Sequence, residues 1–272
     1  MDYDTLTETE WERVGLVWDL LDDGKVERAR LEVEALLATR PGHPDLRIVS
    51  AAVSIDEGEP RRALETLRGA ERSADPALFF HLRALARYEQ AQFEAARDDA
   101  QRALAVHPEL AESHDLLARV HAHLGDPETA ARHAAEAEVI DPDSFPAPLD
   151  VDDAAFDAIV AESLRELPEE VRRHLEELPV LVESLPAREL LTAEDPPLSP
   201  DLLGLFVGRH LLERRHDDVP GPPGTIHLFR RNLLRVCGDA EELKREIRIT
   251  VQHEVGHLLG LDEDDLESWG LG

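Results

Sequence analysis

The chain has 272 residues, enough for two ordinary hydrophobic cores, and carries 59 acidic against 29 basic side chains, a formal charge of −30 at pH 7. That balance repels phosphate backbones and anionic lipid, so nucleic acid and membrane surfaces are excluded as partners on charge grounds. No basic stretch leads into an apolar run near Met1, no apolar run is long enough to span a bilayer, and Cys237 stands alone. The expectation is an unexported, cytoplasmic protein whose single cysteine is a buried small hydrophobe.

Over roughly the first 142 residues, turn signals and small residues recur at a nearly constant interval, the sign of stacked helical hairpins. Gly24 and Ala29 are followed 34 residues on by Gly58 and Ala63. A third copy puts Ala91 in the glycine position and keeps Phe93, Ala96, Ala103 and Pro108; a fourth has Gly125, Ala130, Ala137 and Pro142. The small residues let paired helices approach closely. Pro41, Pro76, Pro108 and Pro142 are expected to stop the second helix of each pair.

With Leu117, Ala118 and His121 near first-helix consensus positions, this half of the chain resembles the tetratricopeptide repeat family. The resemblance implies an all-α superhelix whose concave face takes a protein or peptide partner; the alternative is a scaffold with no partner of its own.

Pro146 and Pro148 break the repeat, and the organisation read here is a repeat array over 1–145 followed by a second domain over 146–272. A helix is expected over Asp153–Leu164 from Phe156, Ile159, Val160 and Leu164. Short strands are expected over Pro179–Glu183, Leu203–Gly208 and Thr225–Arg230, with proline-rich loops between them. If the last of these is an exposed edge, an extended peptide can pair with it. The fold class is therefore α+β overall and mostly α: an all-α repeat solenoid, then a small α+β domain.

From Asp239 one long helix is expected, with Leu243, Ile247, Val251, Val255 and Leu258 as its core stripe. At about 100° per residue, His253 and His257 lie only some 40° apart and well away from that stripe. Two imidazoles one turn apart can share a tetrahedral zinc ion, and Glu254 beside the first can reach a water on it as general base. A third ligand must come from beyond the helix. Gly260 suits a left-handed turn that brings Asp262 or Glu263 back. The five-residue core is a weak signal in a chain this acidic; the added glycine and acid make it much stronger.

Residues 152–268 resemble the minimal zincin-like metallopeptidase family, through the Phe156–Pro168 helix, Leu202–Gly208, Pro223–Phe229 and above all Ile247–Leu266. The resemblance implies a zinc-binding α+β domain with peptidase activity, and it places the third ligand, usually aspartate, on Glu263. Metzincins add a methionine turn, which is excluded because Met1 is the sole methionine. Tyr3 and Tyr88 both lie outside this domain, leaving His210, His216 and His227 as candidate oxyanion donors. The leading expectation is a zinc-dependent peptidase whose repeats select a protein substrate. Its rival is a repeat-based adaptor with a structural or inactive zincin domain.

Overall fold

The computed structural model describes residues 5–71, 75–176, 178–208 and 224–261. It divides into two compact units: one runs to Pro146 and takes in Arg188–Ser199, the other takes in Ala147–Ala187 and the described residues from Pro200 on. The described residues are mostly helical, with one three-stranded sheet among them. Among the described residues, no helix is long and apolar enough to cross a membrane.

The first unit contains four antiparallel hairpins: α1 (Glu8–Asp22) with α2 (Val26–Thr39), α3 (Pro44–Asp56) with α4 (Pro60–Leu67), α5 (Pro76–Tyr88) with α6 (Phe93–Val106), and α7 (Ala111–His123) with α8 (Pro127–Ile140). Each hairpin turns through a left-handed residue: Gly24, Gly58, Ala91 and Gly125, with φ of 69°, 73°, 52° and 76°. The repeated small residues Ala29, Ala63, Ala96, Ala103, Ala130 and Ala137 are all buried, as close helix approach requires. Pro41, Pro108 and Pro142 do follow helix ends. Pro76 instead occupies the first turn of α5, where its missing N–H costs nothing and Asp75 caps Leu78 N–H.

Asp99 is fully buried between α5 and α6, and its carboxylate accepts from Arg83 Nε and Nη2 at 2.6 Å and from Arg87 Nη1 at 2.5 Å. The short helix α11 (Arg188–Leu191) and the segment after it, which sequence alone assigns to the second domain, pack in this first unit. Arg188 reaches Glu94 at 2.8 Å and lies 5.0 Å over the Phe93 ring, Arg61 pairs with Asp195, and Leu191 is buried.

The second unit holds α9 (Asp153–Glu166), α10 (Glu169–Leu175), β1 (Val180–Glu183), β2 (Gly204–Val207), β3 (Thr225–Phe229), α12 (Arg230–Val236) and α13 (Ala240–Leu259). All three expected strands and both expected helices are present; α10, α11 and α12 were not read from the sequence. The sheet order is β1-β3-β2, with β1 parallel and β2 antiparallel to β3. Thr225–Arg230 is therefore not an edge strand: β3 is the middle strand, and among the described residues β1 and β2 are the outer ones. Phe156 and Val160 of α9, Ile226 and Leu228 of β3, Leu233 of α12, and Leu243, Ile247, Val251, Val255 and Leu258 of α13 form one core. The whole expected stripe of α13 lies in it.

Candidate metal centre

Helix α13 is capped at both ends. Asp239 accepts from the N–H groups of Glu241 and Glu242, and Gly260 ends the helix in the left-handed region, φ 82° and ψ 22°, its N–H returning to the last turn. With Leu243 through Leu258 held in the core, the face bearing His253 and His257 is set by helical phase alone.

The two imidazoles converge. His253 Nε2 and His257 Nε2 lie 2.9 Å apart, with ring centroids at 4.6 Å and an interplanar angle of 83°. Two nitrogens on a tetrahedral zinc ion at roughly 2.0–2.1 Å are about 3.3 Å apart, so the rings need to open by only a few tenths of an ångström to admit one. The pair fits a zinc ion. Among the described residues no group of three ligating side chains occurs. The expected third ligand, Glu263, and its competitor Asp262 lie outside the described residues, as do His210 and His216.

Glu254 is 6% exposed and, in helical phase, lies beside the core stripe between Val251 and Leu258, on the side of α13 that meets the sheet. Its Oε2 accepts from the backbone N–H of Phe206 at 2.6 Å, across 48 residues of sequence. The register explains this bond. Leu205 stands opposite His227, and Leu203 C=O accepts from Phe229 N–H, so the odd-numbered residues of this strand bond to β3. The N–H and C=O of Gly204 and Phe206 are then directed off the outer edge of β2. A carboxylate held by a main-chain N–H keeps its orientation.

Glycine makes the approach possible. A Cβ on Gly204 would sit 2.5 Å from Thr250 Cγ2, on the turn of α13 before His253. Gly208 and Gly224 leave room for the Phe206 ring, which a Cβ at either position would meet at 2.7 or 2.6 Å. His227 alternates to the sheet face opposite Ile226 and Leu228, and its Nδ1 is 2.8 Å from Glu183 Oε2. It is thus engaged away from the α13 side and gains no support as an oxyanion donor. Cys237 is buried, and burial together with Glu246 and Glu242 pushes its thiol up to about 11, as suits an inert core residue.

Residues 175–271 match the zincin-like metallopeptidase family, and residues 81–145 match a tetratricopeptide repeat family. The chain thus carries a tetratricopeptide-repeat region followed by a C-terminal zincin-like domain. Among solved structures, similarity is found to MamA (19% identity, 54% of this chain and 80% of that one, TM-score 0.39) and to MamA from Desulfovibrio magneticus RS-1 (23%, 51% and 78%, TM-score 0.41). A third is PilW, a widely conserved type IV pilus biogenesis factor (12%, 58% and 84%, TM-score 0.35). No curated protein matches the chain.

Proposed function

We propose that the C-terminal domain is a zinc-dependent peptidase and that the repeats recruit its protein substrate. The observation that carries this reading is the arrangement on α13: two converging imidazole nitrogens at 2.9 Å with a buried carboxylate between them in sequence, anchored to a sheet edge. A purely structural metal site needs the two imidazoles but no carboxylate base beside them.

In this reading His253 and His257 hold the ion through Nε2, and Glu263, or Asp262 in its place, completes a three-ligand set with one open position. Bound zinc supplies a Lewis acid and a water whose pKa falls to about 7. Glu254 takes the proton from the attacking water on a carboxylate oxygen and later returns it to the leaving amine. The Phe206 N–H keeps that carboxylate from swinging away. The carbonyls of Gly204 and Phe206 and the N–H of Gly204, on the side of β2 that no described strand pairs, offer an extended peptide a partner, a role that passes from β3 to β2. The tetratricopeptide region supports protein interaction in general, and the lone buried thiol suits a reducing compartment such as the cytoplasm.

The test compares the wild type with Glu254→Gln for zinc content and for cleavage of a broad peptide library. Retained zinc with cleavage lowered on the order of 100-fold or more is the expected result. Equal cleavage removes Glu254 from the mechanism. Stoichiometric zinc without cleavage in either protein favours the adaptor with a structural zincin domain, and absence of zinc defeats both readings.

A further inference from the structure

The last repeat hairpin holds a second convergence of imidazoles, unrelated to α13. His114 of α7 and His133 of α8 bring their Nδ1 atoms to 3.0 Å, with ring centroids 5.2 Å apart. This spacing nearly equals that of the zincin pair. The other nitrogen of His114, Nε2, is 3.0 Å from Pro108 C=O. A carbonyl only accepts, so Nε2 carries the hydrogen and neutral His114 presents an Nδ1 lone pair toward His133. A ligating histidine oriented by a backbone carbonyl on its far nitrogen is the arrangement that metal sites favour.

The surroundings hold the second imidazole in place. His121 stacks on the His133 ring at 5.8 Å and 21°, with its own Nδ1 3.4 Å from Asp126 Oδ2. Among the described residues His121 Nε2 is buried without a hydrogen-bond partner, so the ring cluster holds polar capacity that the protein itself does not use.

We propose that His114 and His133 chelate an imidazole-preferring divalent cation between α7 and α8, with water in the remaining positions. Binding needs His133 to carry its hydrogen on Nε2, a change of tautomer and not of charge. Cu2+ is the tightest probe, ahead of Zn2+ and Ni2+, and the chain's charge of −30 raises the local cation concentration. A cation there ties the two helices of the final hairpin together, at the end of the array nearest in sequence to the zincin domain.

The experiment uses the full chain carrying His253→Ala and His257→Ala, which removes the zincin pair. Equilibrium dialysis against Cu2+ and electron paramagnetic resonance then read the remaining site. One equivalent of copper with nitrogen coupling is expected, and adding either His133→Gln or His114→Gln weakens it at least tenfold. Circular dichroism identifies a variant that fails to fold, in which case the other one decides. Copper uptake that survives both glutamine substitutions, or no uptake in the parent double variant, overturns the proposal and leaves a plain histidine–histidine hydrogen bond.

Discussion

Replacing Gly204 by alanine separates β2 from α13 without touching any candidate ligand. The added Cβ lies 2.5 Å from Thr250 Cγ2 and 3.0 Å from His227 C=O, where carbon atoms prefer roughly 3.5–4.0 Å. Thr250 is 7% exposed and β-branched on a helix, so it has little rotamer freedom to retreat. The carbonyl belongs to the middle strand. The strand itself must therefore move out by about 1 Å, which stretches the Phe206 N–H to Glu254 bond from 2.6 Å to about 3.6 Å, beyond hydrogen-bond range. Overpacking of this kind costs about 1–3 kcal/mol, and the lost bond to a charged group adds about 1.5–3 kcal/mol where the carboxylate finds no water in its place. Hydrogen exchange at residues 204–208, read alongside denaturant unfolding of the second unit, measures both effects. Faster exchange at Phe206 and a loss of at least about 2 kcal/mol are expected. Thr250→Ser in the same background deletes the clashing methyl and should recover about half of the loss. A Gly204→Ala protein within about 0.5 kcal/mol of wild type, with unchanged exchange at Phe206, would refute the close approach on which the carboxylate's anchoring depends.

Four further outcomes are expected in the repeat unit. Asp99→Asn leaves Arg83 and Arg87 facing a neutral amide in a fully buried place, and a loss of about 3–5 kcal/mol should appear as a lowered denaturation midpoint. His81 is buried against Ser113 Oγ at 2.9 Å, and burial, aided by the Arg119 charge, pushes its pKa from 6.5 down to about 4. The unfolded chain takes up that proton near 6.5 while the folded chain resists until about 4. Stability is thus fully present above that window and falls as pH drops through it, by up to about 3 kcal/mol for this residue. His81→Gln should lose less than the wild type between pH 7 and pH 4.5 in paired denaturation curves. Gly58→Ala puts a Cβ into open space but at φ 73°, so a purely conformational loss of about 1 kcal/mol is expected by thermal or chemical denaturation. Ala91→Gly relieves the same strain at φ 52° but gives up a methyl group that is 4% exposed, and should fall within about 0.5 kcal/mol of wild type.

The repeats were legible because each hairpin writes its own local signals. A left-handed turn needs a glycine or a tolerated alanine, and the buried close contacts need Ala63, Ala96 or Ala130 at fixed offsets. Pro76 misled because a proline both ends and begins helices, and which it does depends on where the preceding helix stops: α4 ends at Leu67, well short of it. The segment 188–199 misled for a different reason. Its attachment to the first unit rests on Arg188 with Glu94 and on Arg61 with Asp195, pairings 94 and 134 residues apart that leave no periodic trace.

At the candidate metal centre the same division separates what an i, i+4 spacing can say from what it cannot. The convergence of His253 and His257 follows from helical phase and the core stripe, both local, so it could be read directly. Alternation in β3 likewise announces that Ile226 and Leu228 are buried and that His227 is not. It reports which face of a strand meets the core and nothing about the strand's lateral place in the sheet, because a middle strand and an edge strand with one covered face alternate alike. The edge therefore had to be found from pairing: β1 and β2 both bond to β3, leaving the outer side of β2 beside α13. Only then does Glu254 acquire its partner. The position of the proposed base is a property of the sheet order as much as of the helix that carries it, which is why a strand glycine, Gly204, controls it from outside the motif.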